Sequence, residues 1–315
     1  MYFFHDLQAY IQQLRACEEK NIPDVLWCAL RYGMSPANYR DYGFRELTEA
    51  QRATYVNARL CRKMDRYLNQ KENRWIFEDK AAFNERFDRY LKRDWISTAD
   101  LTYEAFCSFA KGKEKLILKP IHNFCGSGIR IYEDLSDLRG IYQEVIQAPA
   151  VVEQWIRQHP VLDRVYSDAV NCLRIISVYK NGEIRFLAGG VTWGLKLKIA
   201  NASASGIVSP VDFETGLLPY PAGDFEGHVY EKHPVTGAPV KGLQLPFWKE
   251  TLEMIKNAAR EVPGVAYIGW DVAITPDGPA IIEGNTTPGY RYYQIPVHMV
   301  HKTGNRAAYE ACLKD

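Results

Sequence analysis

The segment 269–285 restricts the fold most, because it reads as a β-hairpin with polar chemistry on one side. Pro276-Asp277-Gly278 suits a three-residue loop, since proline presets φ and glycine takes the left-handed position. If Thr275 and Pro279 flank that loop, the register of the two strands is fixed. The sequence therefore predicts an antiparallel hairpin near the end of the chain.

In this register Asp271 lies opposite Glu283, and Asn285 shares the face of Glu283. A two-residue loop would instead put the two carboxylates on opposite faces of the hairpin. Two carboxylates and an amide oxygen on one face are hard oxygen ligands of the kind that Mg²⁺ selects, with room for phosphate and water. The alternative is an ordinary hairpin with an exposed polar face.

The remaining sequence divides into a helical front and a β-rich remainder. The segment 48–68 is the clearest helix, with a capping box of Thr48 and Gln51 and an apolar stripe at helical spacing. Strand patterns follow residue 113, and the Asn181-Gly182 pair predicts a type I′ hairpin turn. The predicted fold class is α+β.

Composition and charge exclude several functions. A length of 315 residues suits two domains, and a net charge of +1 provides no field for nucleic acid. Seven scattered cysteines without a C-x-x-C pair indicate reduced thiols. The sequence shows neither a signal peptide nor an apolar run of about 20 residues. We expect a cytoplasmic protein with no nucleic-acid partner and no membrane span.

Several segments have the character of phosphate and nucleotide contacts. Lys119-Pro120 ends a predicted strand, and Gly126-Ser127-Gly128 follows it, where small residues let backbone N–H groups approach phosphate. The segment is not a Walker A loop, and alone such a turn is usually only a turn. Glu153-Gln154-Trp155-Ile156 ends an apolar strand and is a candidate adenine edge.

Three cationic side chains are further candidates. Lys80 opens a helix, a position that the helix dipole disfavours for a lysine. Arg174 points inward from a predicted strand, so it needs an anionic partner, and a phosphate would serve. Lys196 is either a second phosphate contact or a solvated side chain.

Taken in order, these motifs resemble the ATP-grasp superfamily and most of all the sugar-transfer-associated ATP-grasp family, which is linked to cell-surface polysaccharide gene sets. The resemblance covers roughly residues 75 to 300. It is carried by Asp79-Lys80, Ile117-Leu-Lys-Pro120, Val152-Glu-Gln-Trp-Ile156, Asn171-Cys-Leu-Arg174, Ser209-Pro-Val-Asp212, His233-Pro-Val-Thr-Gly237, Pro246-Phe-Trp248, Gly269-Trp-Asp271 and Glu283-Gly-Asn285.

The resemblance implies two α+β subdomains that clasp ATP behind a helical region, with boundaries at 1–78, 79–156 and 157–315. The cofactors would be ATP and two Mg²⁺ ions. The implied phosphate contacts are Lys80, Lys119 and the lid Gly126-Ser127-Gly128. The implied adenine contacts are Glu153, Gln154 and Ile156. The implied metal ligands are Asp271, Glu283 and Asn285. Arg174, together with Lys119, would stabilise the transferring phosphoryl group.

The implied reaction is ligation: a carboxylate is activated as an acyl phosphate and then joined to an amine. A uronic acid or an amino acid is our hypothesis for the carboxylate. A kinase on the same scaffold and a nucleotide-binding protein without turnover remain alternatives. Candidate substrate contacts, each of which is otherwise a structural residue, are Asp212, Arg291, Tyr292, Gln294 and His298. The sequence identifies neither the amine nor the oligomeric state.

Overall fold

Two antiparallel sheets organise the chain in a computed structural model that describes residues 12–14, 19–122, 128–195 and 206–314. The smaller sheet has the order β1-β4-β2-β3, with β1 Trp95–Ser97, β2 Leu116–Pro120, β3 Arg130–Tyr132 and β4 Ala150–Gln154. The larger sheet has the order β11-β10-β5-β6-β7-β8-β9. Its strands are β5 Cys172–Lys180, β6 Glu183–Trp193, β7 Ile207–Pro210, β8 Ala222–Gly223, β9 Val229–Tyr230, β10 Tyr267–Thr275 and β11 Gly278–Asn285.

Helices precede, link and cover these sheets. They are α1 Ile22–Tyr32, α2 Pro36–Asp41, α3 Glu49–Arg52, α4 Ala58–Leu68, α5 Trp75–Glu78, α6 Lys80–Leu91, α7 Tyr103–Ala110, α8 Leu138–Val145, α9 Pro160–Asp163, α10 Trp248–Ala258 and α11 Arg306–Ala311. The helical front and the α+β class are as predicted. Within the described part of the chain, no helix is both long and apolar enough to cross a membrane.

The predicted single helix over residues 48–68 is wrong, although its capping box is present. The Thr54 hydroxyl donates to the Gln51 carbonyl at 2.6 Å as α3 ends. The Asn57 side chain then accepts from the Leu60 N–H at 2.7 Å and starts α4 as a new helix. Side chains that compete locally for backbone groups therefore interrupt the helical pattern.

The turn at Asn181-Gly182 is as predicted, with left-handed φ values of 53° and 83° between β5 and β6. The loop of the β10–β11 hairpin differs from the prediction. Thr275 pairs with Gly278, so the loop has two residues rather than three. The predicted pairing of Asp271 with Glu283 nevertheless occurs, because a β-bulge shifts the register between Asp271 and Val272.

The two faces of the larger sheet are packed differently. The face that carries Trp270 is buried under α6 and α10, where Trp270 packs edge-on against Phe87 at 5.5 Å. On the opposite face, Tyr267 of β10 packs with Leu60 and Met64 of α4. Asp271 lies four residues after Tyr267 on β10, so the two side chains are on the same face of the sheet. The helical front therefore covers one end of the sheet face on which the carboxylates lie.

Candidate active site

The three predicted metal-binding side chains converge. Asp271 on β10 pairs directly with Glu283 on β11. The Asn285 Nδ2 atom lies 3.4 Å from Asp271 Oδ2 and 3.4 Å from Glu283 Oε1. A rotation of the amide by half a turn would present its oxygen instead, since either end of the group can face the carboxylates. The donor set then consists of hard oxygen atoms, which fits Mg²⁺.

The two carboxylates lie in a buried setting with few partners. Burial, and then the nearby negative charge of Asp271, raises the pKa of Glu283 above its usual value. Arg174 donates from Nη2 to Asp271 Oδ2 at 2.6 Å and also from Nε to Asp271 Oδ1. One guanidinium thus faces two acidic groups, so the hairpin is suited to accept further positive charge.

The inward-facing Arg174 therefore has an anionic partner within the protein. Sequence reasoning required such a partner and suggested a phosphate, whereas the described structure supplies Asp271. Arg174 lies on β5, paired across the strands with Asp271. This position sets the guanidinium at the edge of the carboxylate hairpin, where it can also meet a phosphoryl group.

Two lysines face the hairpin from other elements. Asp79 caps α6 by accepting from the Ala81 N–H at 2.8 Å, and this places Lys80 at the first helical position. Lys80 donates to the Ile121 carbonyl at 3.3 Å. Burial lowers the pKa of Lys80, while the nearby Glu283 carboxylate acts in the opposite direction. The Lys80 ammonium is therefore within electrostatic reach of the metal-binding face.

Lys119 on β2 belongs to a buried ionic cluster. Its Nζ atom lies 2.6 Å from Glu153 Oε2. Arg93 binds the same carboxylate through Nε at 2.7 Å, and Asn84 donates to the other oxygen at 2.8 Å. Burial raises the pKa of Glu153, but Arg93 and Lys119 together hold it well below its usual range.

Sequence reasoning missed Arg93 and Asn84 and assigned Glu153 to the adenine pocket. The structure instead surrounds the Glu153 side chain with protein partners, and the Glu153 backbone pairs with strands on both sides of β4. The signal was present: a glutamate inside the apolar strand Val151-Val152-Glu153 requires a buried cation. Nothing in the sequence tells which cation it is.

The structure says less about the other predicted nucleotide contacts. Gly128 has a left-handed φ of 74°, whereas Gly126, Ser127 and Lys196 lie outside the described residues. Gln154 ends β4, and its N–H donates to the Asp94 carbonyl at 2.9 Å. Ile156 follows the strand and is half-buried. The adenine contact of this segment stays a prediction.

Three of the predicted substrate contacts hold the protein together in the described structure. Asp212 caps its own turn by accepting from the Thr215 N–H at 2.8 Å. Gln294 Oε1 accepts from the Val56 N–H at 2.8 Å, linking the helical front to the end of the site. His298 is buried, and its Nδ1 lies 2.7 Å from the Tyr292 carbonyl oxygen. These side chains therefore have structural contacts, and their contact with a substrate stays a prediction.

Arg291 and its neighbours line a cavity of about 440 Å³ between the helical front and the segment that follows Asn285. Its polar lining includes Arg59, Arg62, Arg291, Asn38 and Tyr290. Arg291 also pairs with Asp41, while neither Arg59 nor Arg62 forms an ion pair with a described residue. No acidic side chain is among the described lining residues, so the cavity suits an anionic ligand.

The remaining candidate, Tyr292, lies outside this lining. Its ring stacks on Phe225 with a centroid distance of 3.8 Å. The same region holds an acidic group, Asp224, Glu226 and His228, in which Asp224 Oδ2 lies 2.9 Å from His228 Nδ1. Glu226 and His228 are exposed, whereas on the hairpin Asp271 is buried and Glu283 is half-buried.

Two sheets that bring cationic side chains to a carboxylate hairpin define the class of protein as ATP-grasp. The sugar-transfer associated ATP-grasp family matches residues 59–305, which is more than half of the chain, and the chain belongs to that family. No curated protein matches the chain.

Solved structures with a similar fold are distant. An N5-carboxyaminoimidazole synthase from Aspergillus clavatus, in complex with ADP and 5-aminoimidazole ribonucleotide, has a TM-score of 0.45 and 12% identity over 69% of this chain and 46% of its own. The ATP-grasp ligase PsnB, with a phosphomimetic precursor variant, Mg and ADP, has a TM-score of 0.47 and 14% identity over 86% of this chain and 70% of its own. The D-alanine-D-alanine ligase from Coxiella burnetii has a TM-score of 0.43 and 13% identity over 75% of this chain and 53% of its own. The chain thus spans about half the length of the first structure.

Proposed function

We propose that this protein is an ATP-dependent ligase that activates a substrate carboxylate and joins it to an amine. The observation that carries the proposal is the convergence of Asp271, Glu283 and Asn285 near one buried and one half-buried lysine. Membership in the family supports the use of ATP. A cytoplasmic role in the synthesis of a cell-surface polysaccharide, or of a related small molecule, belongs to the same proposal.

Each side chain has a distinct task in this proposal. MgATP supplies the phosphoryl group when it is bound, and two ions would be held by Asp271, Glu283 and Asn285. Lys80 and Lys119 bind phosphate oxygens, because Lys119 brings a positive charge to a buried position and Lys80 to a half-buried one. Arg174 lies beside Asp271 and neutralises charge on the transferring group.

A substrate carboxylate oxygen attacks the γ-phosphorus, and the bond from that phosphorus to the ADP oxygen breaks, which leaves an acyl phosphate and ADP. The amine nitrogen then attacks the acyl carbon, the carbon–oxygen bond to phosphate breaks, and the amine proton passes to the departing phosphate. Such chemistry depends on positioning and charge, which is what the described side chains provide.

We place the substrate carboxylate in the arginine-lined cavity, with Arg291 among its contacts. The segment Thr286–Tyr290 connects the cavity directly to the metal ligand Asn285. Its Pro288 packs against Gly269, close to the Arg174 side chain, so the segment runs beside the reacting groups. A uronic acid or an acidic amino acid has the charge that this lining favours.

Release of ADP in the presence of paired acids and amines tests the proposal. A ligase releases phosphate only when both partners are present, whereas a kinase keeps the phosphoryl group on its product. We expect Lys119→Met to lose at least about 100-fold in turnover, which corresponds to about 3 kcal/mol of lost charge stabilisation. Lys115→Met is the matched control, since this lysine precedes the same strand, pairs with Glu133 at the surface and lies over the Trp155 ring.

If the assay yields a phosphorylated product and no amide, the protein is a kinase and not a ligase. If the protein binds nucleotide tightly but turns over none of a wide panel of acids and amines, it is a nucleotide-binding protein and not an enzyme.

A further inference from the structure

The Arg93 side chain uses all five of its N–H donors inside the protein. Its Nε and Nη2 atoms bind the two carboxylate oxygens of Glu153 at 2.7 and 3.2 Å. Nη1 donates to the carbonyls of Leu91 at 3.3 Å and Ile281 at 2.7 Å, and Nη2 also donates to the carbonyl of Ile282 at 3.1 Å. The side chain is only 1% exposed. A guanidinium is the group that can make this set of contacts, because its donors lie in a fixed plane.

The carbonyls of Ile281 and Ile282 belong to the β-bulge of the hairpin. Ile281 pairs with Val272 and Glu283 pairs with Asp271, so Ile282 is the extra residue on β11. A bulge leaves backbone groups without their usual ladder partners, and a buried carbonyl without a donor is costly. Arg93 supplies the donors. It therefore supports the irregularity that sets Glu283 opposite Asp271.

The other end of the same guanidinium acts on the smaller sheet. Glu153 on β4 accepts from both Arg93 and Lys119, and the Glu153 side chain is 2% exposed. Lys119 pairs with Val151, two residues before Glu153, so the two charged side chains share one face. Without Arg93, Lys119 would be the one cation among the described residues that forms an ion pair with this buried carboxylate, and it would be held more tightly against it.

We propose that Arg93 is a positioning residue that couples the phosphate-binding Lys119 on one sheet to the metal-binding Glu283 on the other. It reaches both through direct partners, Glu153 on the first side and the carbonyl of Ile282 on the second. This inference rests on the proposed nucleotide and metal roles of those two residues. Arg93 itself contacts neither of them.

Arg93→Lys is the informative change, because it keeps the charge but cannot bridge a carboxylate and two carbonyls at once. Calorimetric titration of AMP-PNP is performed once with Mg²⁺ and once with EDTA. The affinity in EDTA depends on the contact of Lys119 with phosphate. The ratio of the affinity with Mg²⁺ to the affinity in EDTA depends on the proposed metal ligands of the hairpin. For Arg93→Lys we expect the affinity in EDTA and the ratio of affinities each to fall about tenfold, a size typical of changes to the groups that orient metal ligands.

Arg52→Lys is the matched control. Arg52 is also a buried arginine, and it donates to both oxygens of Asp24 at 2.8 Å and to the Phe44 carbonyl at 2.9 Å within the helical front. This variant should lose thermal stability without a change in either binding readout. A second variant, Glu153→Gln, should also lower the Mg²⁺ ratio although Glu153 does not touch the hairpin, and it serves if Arg93→Lys does not fold.

Wild-type values of both readouts in Arg93→Lys, or the loss of only one of them, would overturn the coupling. A parallel loss in Arg52→Lys would show general destabilisation and would overturn it too. Failure of the proposed nucleotide and metal roles has a different signature, because the wild-type protein would then bind no AMP-PNP in the presence of Mg²⁺. Failure of ligation alone, as in a kinase or a protein without turnover, would leave both wild-type affinities in place.

Discussion

Replacing Glu283 by glutamine should have opposite effects on stability and on ligand binding. The change keeps the volume of the side chain and removes one of two buried carboxylates on the same hairpin face. Two like charges about 4 Å apart repel by about 4 kcal/mol at an effective dielectric constant of 20. Arg174 and Lys80 offset most of this repulsion, so we expect Glu283→Gln to stabilise the ligand-free protein by about 1 kcal/mol.

The same substitution removes a ligand from the proposed metal site. Leaving buried positive charge without one of its partners costs about 3 kcal/mol or more, which corresponds to at least about a 100-fold weaker affinity for Mg²⁺-AMP-PNP. Urea denaturation measures the first effect, and calorimetry measures the second. Asp277→Asn is the matched control, because it makes the same chemical change at the exposed turn of the same hairpin.

A Glu283→Gln protein that is less stable and binds the nucleotide normally would refute this reasoning. It would mean that Glu283 supports the fold and not the metal. Equal effects in Asp277→Asn would mean that the hairpin responds to any loss of charge.

Three further predictions concern the surroundings of the site. Burial lowers the pKa of His298 from its usual 6.5 to about 4, so unfolding takes up a proton below pH 6.5 and stability falls as the pH decreases. Between pH 7.5 and 5 the wild type should lose about 2 kcal/mol more than His298→Gln in urea titrations, and equal losses would contradict a buried neutral imidazole. Replacing both Arg59 and Arg62 by glutamine should raise the KM for the carboxylate substrate at least about tenfold and leave AMP-PNP affinity within about twofold, whereas an unchanged KM would remove the substrate from this cavity. Asn57→Ala should cost about 2 kcal/mol of stability in thermal or urea unfolding, because it removes the α4 cap and a bond to the Tyr32 carbonyl; a loss below about 0.5 kcal/mol would show that the cap is not needed.

The hairpin shows how far the sequence determines the site. Alternation and the Pro276-Asp277-Gly278 turn predicted that Asp271 lies opposite Glu283, as it does, although the pairs nearer the turn are shifted by one residue. The reason was different, because the loop is one residue shorter and a bulge at Ile282 restores the register. A bulge depends on a distant donor for its carbonyls, here Arg93, and no local pattern contains that information.

The partners of buried charges are the second feature that could not be predicted from the sequence. The need for a counter-ion at Arg174 and at Glu153 follows from their strand positions alone. Its identity follows from tertiary pairing: Asp271 lies 97 residues from Arg174, and Arg93 lies 60 residues from Glu153. The residue types of the site were therefore predictable, and its internal ion pairs were not.

A crystal of the protein grown with AMP-PNP and Mn²⁺ tests the central claim most directly, because anomalous scattering locates the ions. We predict one or two peaks within coordination distance, about 2.2 Å, of oxygen atoms of Asp271, Glu283 and Asn285, with nucleotide phosphates on their other side. Peaks confined to Asp224, Glu226 and His228, or a bound nucleotide with no ion at the hairpin, would contradict the account.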